Sequence, residues 1–234
     1  MTQTTDDHPW QDAALAVLGL VLPVVCAGCG APDRALCRTC SAGLAAEPRR
    51  VRLVAGVRLD AAFEYAGLVR TLLLELKLRG RVDLARPLAI RFGALVLSAL
   101  ADAPPGTVLL RVPPSRQGNR RRGFDPVVLL LARGGVRRPR ALHRPRAGPG
   151  AGAGPAGTGR AGARRAGAGQ KERSALERVA ATVGSLRASG VAGRDVVVVD
   201  DVVTTGVTMA EAVRAVRAAG GRVVRCVAVA SVDD

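Results

Sequence analysis

Residues 196–208 read Val-Val-Val-Val-Asp200-Asp201-Val-Val-Thr204-Thr205-Gly206-Val207-Thr208, setting two acids beside three hydroxyls and one glycine. An ionised carboxylate only accepts hydrogen bonds, so neighbouring aspartates suit the vicinal hydroxyls of a sugar. The Thr204–Thr208 segment offers hydroxyl and backbone donors, and a helix starting there adds unpaired amides and its dipole for an anion. Gly206 permits a tight turn and lets an oxygen approach the backbone. A diol on one side and a 5′-phosphate on the other describe a ribose 5-phosphate compound. The competing reading is a strand-to-helix turn whose aspartates merely cap the helix.

The flanking residues say how this group is held. Four consecutive valines predict a strand buried on both faces, as in a parallel sheet covered by helices. The strand is expected to stop at the aspartates. A helix is expected over Thr208 to Ala219, closed by Gly220-Gly221. Met209, Ala212, Val213, Val216 and Ala219 share its apolar face, with Glu211, Arg214 and Arg217 pointing elsewhere. Arg222 to Ala230 supplies the next strand, which a right-handed crossover makes parallel. In such sheets ligands gather at the carboxyl ends of the strands, where the polar loop falls.

A second polar loop follows a second strand. Thr107 to Val112 reads as buried strand and runs into Pro113-Pro114-Ser115-Arg116-Gln-Gly-Asn-Arg120-Arg121-Arg122-Gly123-Phe124-Asp125. Asp125 is placed to cap a helix whose first residue is Pro126. The clustered arginines suit pyrophosphate, which guanidinium groups grip through paired N–H donors. A solvated basic loop or a nucleic-acid contact is the alternative. Upstream, Val57 to Tyr65 reads as a core strand, Leu68 to Arg79 as an amphipathic helix ending at Gly80, and Leu84 to Leu100 as a helix kinked or restarted at Pro87.

Four of the five cysteines form two C-x-x-C knuckles, Cys26/Cys29 and Cys37/Cys40. Four thiolates so spaced converge on one Zn²⁺ and leave no open position for catalysis, which makes the ion structural. Two disulfides are the other option, disfavoured in a reducing compartment.

The net charge of +16 over 234 residues favours anionic partners, phosphorylated metabolites or nucleic acid. Aromatic residues are only Trp10, Phe63, Tyr65, Phe92 and Phe124, too few for a base-stacking surface. No membrane span is expected: Ala13 to Val25 is apolar but short, and Asp6, Asp7 and Asp12 precede it in place of a basic leader. The expected organisation is an N-terminal amphipathic helix (1–25), a zinc knuckle (26–45) and an α/β domain (46–234). Within that domain a Gly/Ala/Pro/Arg-rich mobile loop (146–169) interrupts the pattern before helical character returns over Gln170 to Leu186. A cytoplasmic location follows.

The segment around Asp200 and Asp201 resembles the phosphoribosyl pyrophosphate (PRPP) motif of type I phosphoribosyltransferases. The order of motifs is similar to the ComF/GntX family: the four-cysteine knuckle, Leu-Val-Arg70 with Leu-Lys77-Leu-Arg79-Gly80, Val-Pro-Pro-Ser115-Arg116 with Arg120-Arg-Arg122-Gly123-Phe124-Asp125, then the PRPP-like motif. The resemblance implies a type I phosphoribosyltransferase fold, a mostly parallel sheet covered by helices with an N-terminal zinc element. It implies Mg²⁺–PRPP bound at Asp200, Asp201, Thr204, Thr205, Gly206, Val207 and Thr208, with pyrophosphate near Ser115, Arg116, Arg122, Lys77 and Arg79. Family members are associated with DNA uptake in competent bacteria, which brings in single-stranded DNA, DNA-uptake proteins or a helicase-like protein as partners. The family's Arg-x-Thr-x-x-Gln and Arg-x-x-Asn are altered, with Gln170 kept and Ala181 at the asparagine position. Purine-salvage relatives carry an aspartate base where Thr204 stands here, so no general base is identified.

Overall fold

The computed structural model describes residues 24–144 and 182–232. The expected N-terminal helix, the 146–169 loop and the polar residues Gln170–Arg178 therefore lie essentially outside the described residues. In chain order the elements are α1 (Arg38–Ala46), β1 (Arg50–Val54), β2 (Val57–Glu64), α2 (Gly67–Arg79), α3 (Ala85–Ala101), β3 (Val108–Arg111), α4 (Arg116–Arg122), α5 (Pro126–Arg133), β4 (Arg140–Ala141), β5 (Asp195–Val203), α6 (Val207–Ala218) and β6 (Arg222–Ser231). One six-stranded sheet runs in the order β1-β2-β6-β5-β3-β4. Only β1 is antiparallel to its neighbour; all other pairings are parallel.

The valine run sits at the centre. Val197 and Val199 face the core formed with α2, α3 and α5, whereas Val196 and Val198 face the one formed with α6. Both faces are thus covered, which explains the uninterrupted apolar run. Asp200 and Asp201 do not end β5. Its ladder with β6 continues through Val202↔Ala230 to Val203↔Ser231, because the apolar Val202 and Val203 resume the strand pattern. The acids therefore stand on a rigid strand end.

Two features depart from the expected helices. α3 begins before Pro87 and runs through it, since proline in the first helical turn lacks only an N–H that has no partner there. Glu211 is buried, where the sequence pattern placed it away from the core face. It accepts from Leu186 N at 3.0 Å and from Arg214 Nε at 2.6 Å. Burial opposes its charge, yet Arg214 and the N–H groups of Leu186 and Gly184 hold its pKa below the ordinary value. A residue of α6 that looks like surface decoration ties the helix to the strand-like segment beneath it.

Among the described residues one stretch, Val82–Ala101, is long and apolar enough to cross a membrane, with mean hydropathy 1.5. It includes α3, whose Leu88, Phe92 and Val96 are fully buried against the sheet. Its apolarity is that of a core helix.

Candidate functional site

The carboxyl ends of β3 and β5 and the start of α6 meet at one cleft. Asp200 and Asp201 stand on its floor, each turned back onto the following amide: Asp201 N donates to Asp200 Oδ1 at 2.8 Å, and Val202 N to Asp201 Oδ1 at 2.6 Å. The free oxygen of Asp201 takes Lys77 Nζ, 2.8 Å away, from the last turn of α2. Lys77, assigned from sequence to the pyrophosphate end, is thus partnered with the acid pair. Asp200 has no such cation in contact among the described residues. Burial raises its pKa well above the ordinary value, the neighbouring Asp201 charge raises it further, and the Asp201 N–H and Lys77 only partly oppose this. Two adjacent carboxylates and one ammonium leave the pair short of positive charge, and a bound cation or a hydroxyl donor would relieve it.

The residues of the β5–α6 connection follow directly. Thr204 and Thr205 are exposed, and Gly206 is the N-cap of α6 in the left-handed region (φ 75°). Ala210 N makes the first helical bond, to Gly206 O. The amides of Val207, Thr208 and Met209 consequently begin the helix without intrahelical acceptors. Behind the loop lies Arg52 of β1, a residue not singled out from the sequence. Its Nη1 donates to Thr204 O at 3.1 Å and Val232 O at 3.3 Å, and its Nη2 lies 3.4 Å from where a Cβ on Gly206 would be. The signal was an inverted period-2 pattern: Val51 and Leu53 are exposed, and Arg50 and Arg52 take the inward positions. Arg52 both braces the loop and brings positive charge beside it. Arg52→Ala is expected to weaken phosphate-ligand binding by about tenfold, one charge-assisted hydrogen bond, with Arg52→Lys intermediate, as calorimetry would read.

Across the cleft, the loop expected after β3 contains the short helix α4, which the density of glycine and arginine concealed. Ser115 caps it, accepting from Gly118 N at 3.1 Å. Gly118 leaves room for both side chains, since a Cβ there would lie 2.8 Å from Ser115 Oγ and 2.9 Å from Arg122 Nη2 and would push one of them aside. Arg122 has no carboxylate partner among the described residues, and its Nε is buried without a hydrogen bond. Asp125 caps α5 as expected, through Val127 N and Val128 N, and is also ion-paired with Arg111. Arg144, also unforeseen, donates to Pro113 O at 3.3 Å.

A cavity of about 250 Å³ is lined by Ser115, Arg122, Arg144, Asp200, Asp201 and Thr208. A second, of about 520 Å³, shares Ser115 and Arg122 with it and adds Lys77 and Arg79. Arg79 is largely exposed and paired with Glu75 at 2.7 Å, so it stands at the mouth. The side chain of Arg116 lies outside what the structure describes. Of the sequence-selected residues, Ser115, Arg122, Lys77, Asp200, Asp201 and Thr208 therefore border one continuous cleft.

The four N-terminal cysteines form a separate centre. Their Sγ atoms all lie within 4.8 Å of one another, and Cys29 and Cys37 are 3.6 Å apart. Tetrahedral Zn–S bonds of about 2.3 Å set sulfurs roughly 3.8 Å apart, so the donor set fits one zinc ion. None of the four is disulfide-bonded. Burial of Cys26 opposes ionisation, but the N–H groups of Cys37, Cys29 and Gly28 outweigh it and bring the pKa to about 6. Cys40 is pushed up to about 12, first by its hydrogen bond with Cys37 and then by burial. Only a cation brings all four to the thiolate state.

A mostly parallel sheet covered on both faces carries two acids and a helix start at its carboxyl edge, where ligands of open α/β sheets bind. Residues 120–233 match the family model of the phosphoribosyl transferase domain, a span that includes α5, β5, α6 and β6 and hence the acid pair and the β5–α6 loop. No curated protein matches the chain.

Proposed function

We propose that the protein is a phosphoribosyltransferase-like protein of the ComF/GntX type that binds Mg²⁺–PRPP in the cleft and transfers its phosphoribosyl group. The observation that carries this is the pairing, on one strand-to-helix connection, of Asp200 and Asp201 with the open amides of Val207 to Met209. The acids accept the ribose 2′ and 3′ hydroxyls, and Thr204, Thr205, Gly206, Val207 and Thr208 seat the 5′-phosphate. Ser115 and Arg122, with Arg116, Lys77 and Arg79, face the pyrophosphate, whose own oxygens would carry the Mg²⁺. Lys77 must exchange Asp201 for a ligand oxygen when PRPP enters. Departure of pyrophosphate from ribose C1 leaves an oxocarbenium-like centre, and the arginines screen the charge gathering on the leaving group. The reaction takes place in the cytoplasm.

A second reading is a PRPP- or nucleotide-sensing module that engages single-stranded DNA, a helicase-like protein or other DNA-uptake proteins. Thr204, at the position where purine-salvage relatives carry a base, favours it. Pyrophosphate release from Mg²⁺–PRPP, measured across a panel of bases and amines, separates the two. Acceptor-dependent release supports transfer. PRPP binding with no release under any acceptor assigns sensing, and binding of neither PRPP nor a nucleotide overturns both.

A further inference from the structure

The opposite end of the sheet carries a groove that the cleft chemistry does not use. A cavity of about 480 Å³ opens at the amino ends of β3 and β5, rimmed by Arg137, Arg138, Arg140 and Arg194. All four are exposed. Its floor is aliphatic, built from Leu97 and Leu100 of α3 with Leu109 and Val136. Leu97 is 47% exposed, a large apolar side chain open to solvent in the middle of a basic rim.

The general basicity of the chain does not explain this rim. Elsewhere at the same end of the sheet, arginines are matched with acids: Arg225 and Arg58 with Asp60, at 2.7 and 2.9 Å, and Arg222 with Asp195, at 2.6 Å. Asp195, next in sequence to Arg194, is thereby already taken. None of the four rim guanidinium groups has a carboxylate partner among the described residues, so four like charges converge without compensation. Such an arrangement gains most from an anionic partner.

From this we infer that the groove docks an acidic segment of another protein, with aspartate or glutamate on the rim and one or two leucine-sized side chains on the floor. The concavity decides against a membrane surface, which requires apolar groups that protrude. The aliphatic floor favours a leucine-sized side chain over a base, for which it offers no aromatic face to stack on.

The test uses the full-length protein and a fluorescein-labelled twelve-residue peptide of alternating glutamate and aspartate carrying two leucines. Polarisation anisotropy should show saturable binding that weakens about tenfold or more in Arg137→Glu/Arg138→Glu, and comparably in Leu97→Asp. A leucine-free acidic peptide should bind more weakly, and PRPP affinity should be unchanged in every variant. Circular dichroism checks that the variants fold; Arg137→Gln/Arg138→Gln, which only neutralises the rim, gives an intermediate loss. The inference is overturned if the variants bind the peptide as wild type does, or if the leucine-free peptide binds equally. It is also overturned if a dT oligonucleotide or phosphatidylserine vesicles, and not the peptide, lose affinity on charge reversal.

Discussion

In Asp200→Asn/Asp201→Asn, PRPP affinity falls by about a hundredfold or more, since each charge-assisted hydrogen bond to a ribose hydroxyl is worth about 1.5–3 kcal/mol. Asp200→Asn alone, by contrast, raises the melting temperature of the unliganded protein at neutral pH. The two effects share one cause. Asp200 is held beside Asp201 at the end of β5, where burial and the neighbouring charge raise its pKa well above the ordinary carboxylate value. The folded protein therefore retains a proton there that the unfolded chain releases near pH 4, about the unperturbed aspartate value. Where the folded state binds more protons than the unfolded one, stability falls as pH rises, from the unfolded pKa through the folded one. Asparagine keeps the shape and the acceptor oxygen for the Asp201 amide but cannot ionise. Its advantage is absent below about pH 4 and grows with pH above it, at roughly 2–4 °C per kcal/mol relieved in a domain of this size. PRPP affinity of the wild type rises over the same window, because the diol prefers the ionised acceptor. Calorimetric titrations and thermal melts from pH 4 to 8 read both trends. Undiminished affinity in the double variant would refute the diol assignment, and a pH-independent melting shift would refute the buried charge.

The sequence made most of this site legible because its parts are local. A valine run, two acids, a hydroxyl-glycine loop and an amphipathic helix occupy one continuous segment, and residues 195–231 fold as strand, loop, helix and strand. Asp125 and Pro126 were equally readable, since capping depends on immediate neighbours. What stayed hidden depends on contacts distant in sequence. Arg52 reaches Thr204 across 152 residues, and nothing near Arg52 announces it except an apolar alternation facing the wrong way. Glu211 has a helical position typical of surface residues, and only the backbone of Leu186 arriving beside it makes burial favourable. The Lys77–Asp201 pair joins two residues whose separate roles had been assigned to opposite ends of one ligand. β5 outlasting its aspartates has a similar origin, because β6 continues to offer ladder partners that local polarity does not reveal.

Removing metal from the cysteine knuckle should do more than unfold a small appendage. Gly28 lies against both Cys40 and α2: a Cβ there would come within 2.7 Å of Cys40 Sγ and 2.9 Å of Leu68 Cδ1. Leu68 belongs to the first turn of α2, and Lys77, which reaches Asp201, belongs to its last. One rigid helix therefore has the knuckle at one end and the cleft at the other. Elemental analysis should return about one zinc per chain. Stripping it with a zinc-selective chelator, with Mg²⁺ in excess, leaves four thiols of unequal acidity with nothing to hold them together. The sheet core, including the face of α2 carrying Leu72, Leu73 and Leu76, remains intact, so far-ultraviolet dichroism changes little. PRPP affinity falls about five- to tenfold because α2, its helical structure intact, shifts as a unit once the knuckle no longer braces its first turn, and Lys77 moves with it. Gly28→Ala reproduces this without chelator, because the added methyl displaces Cys40 from the ligand set, and Lys77→Ala makes PRPP binding indifferent to zinc. If zinc removal leaves PRPP affinity unchanged in the wild type, the knuckle and the cleft are mechanically independent and α2 is not the strut between them.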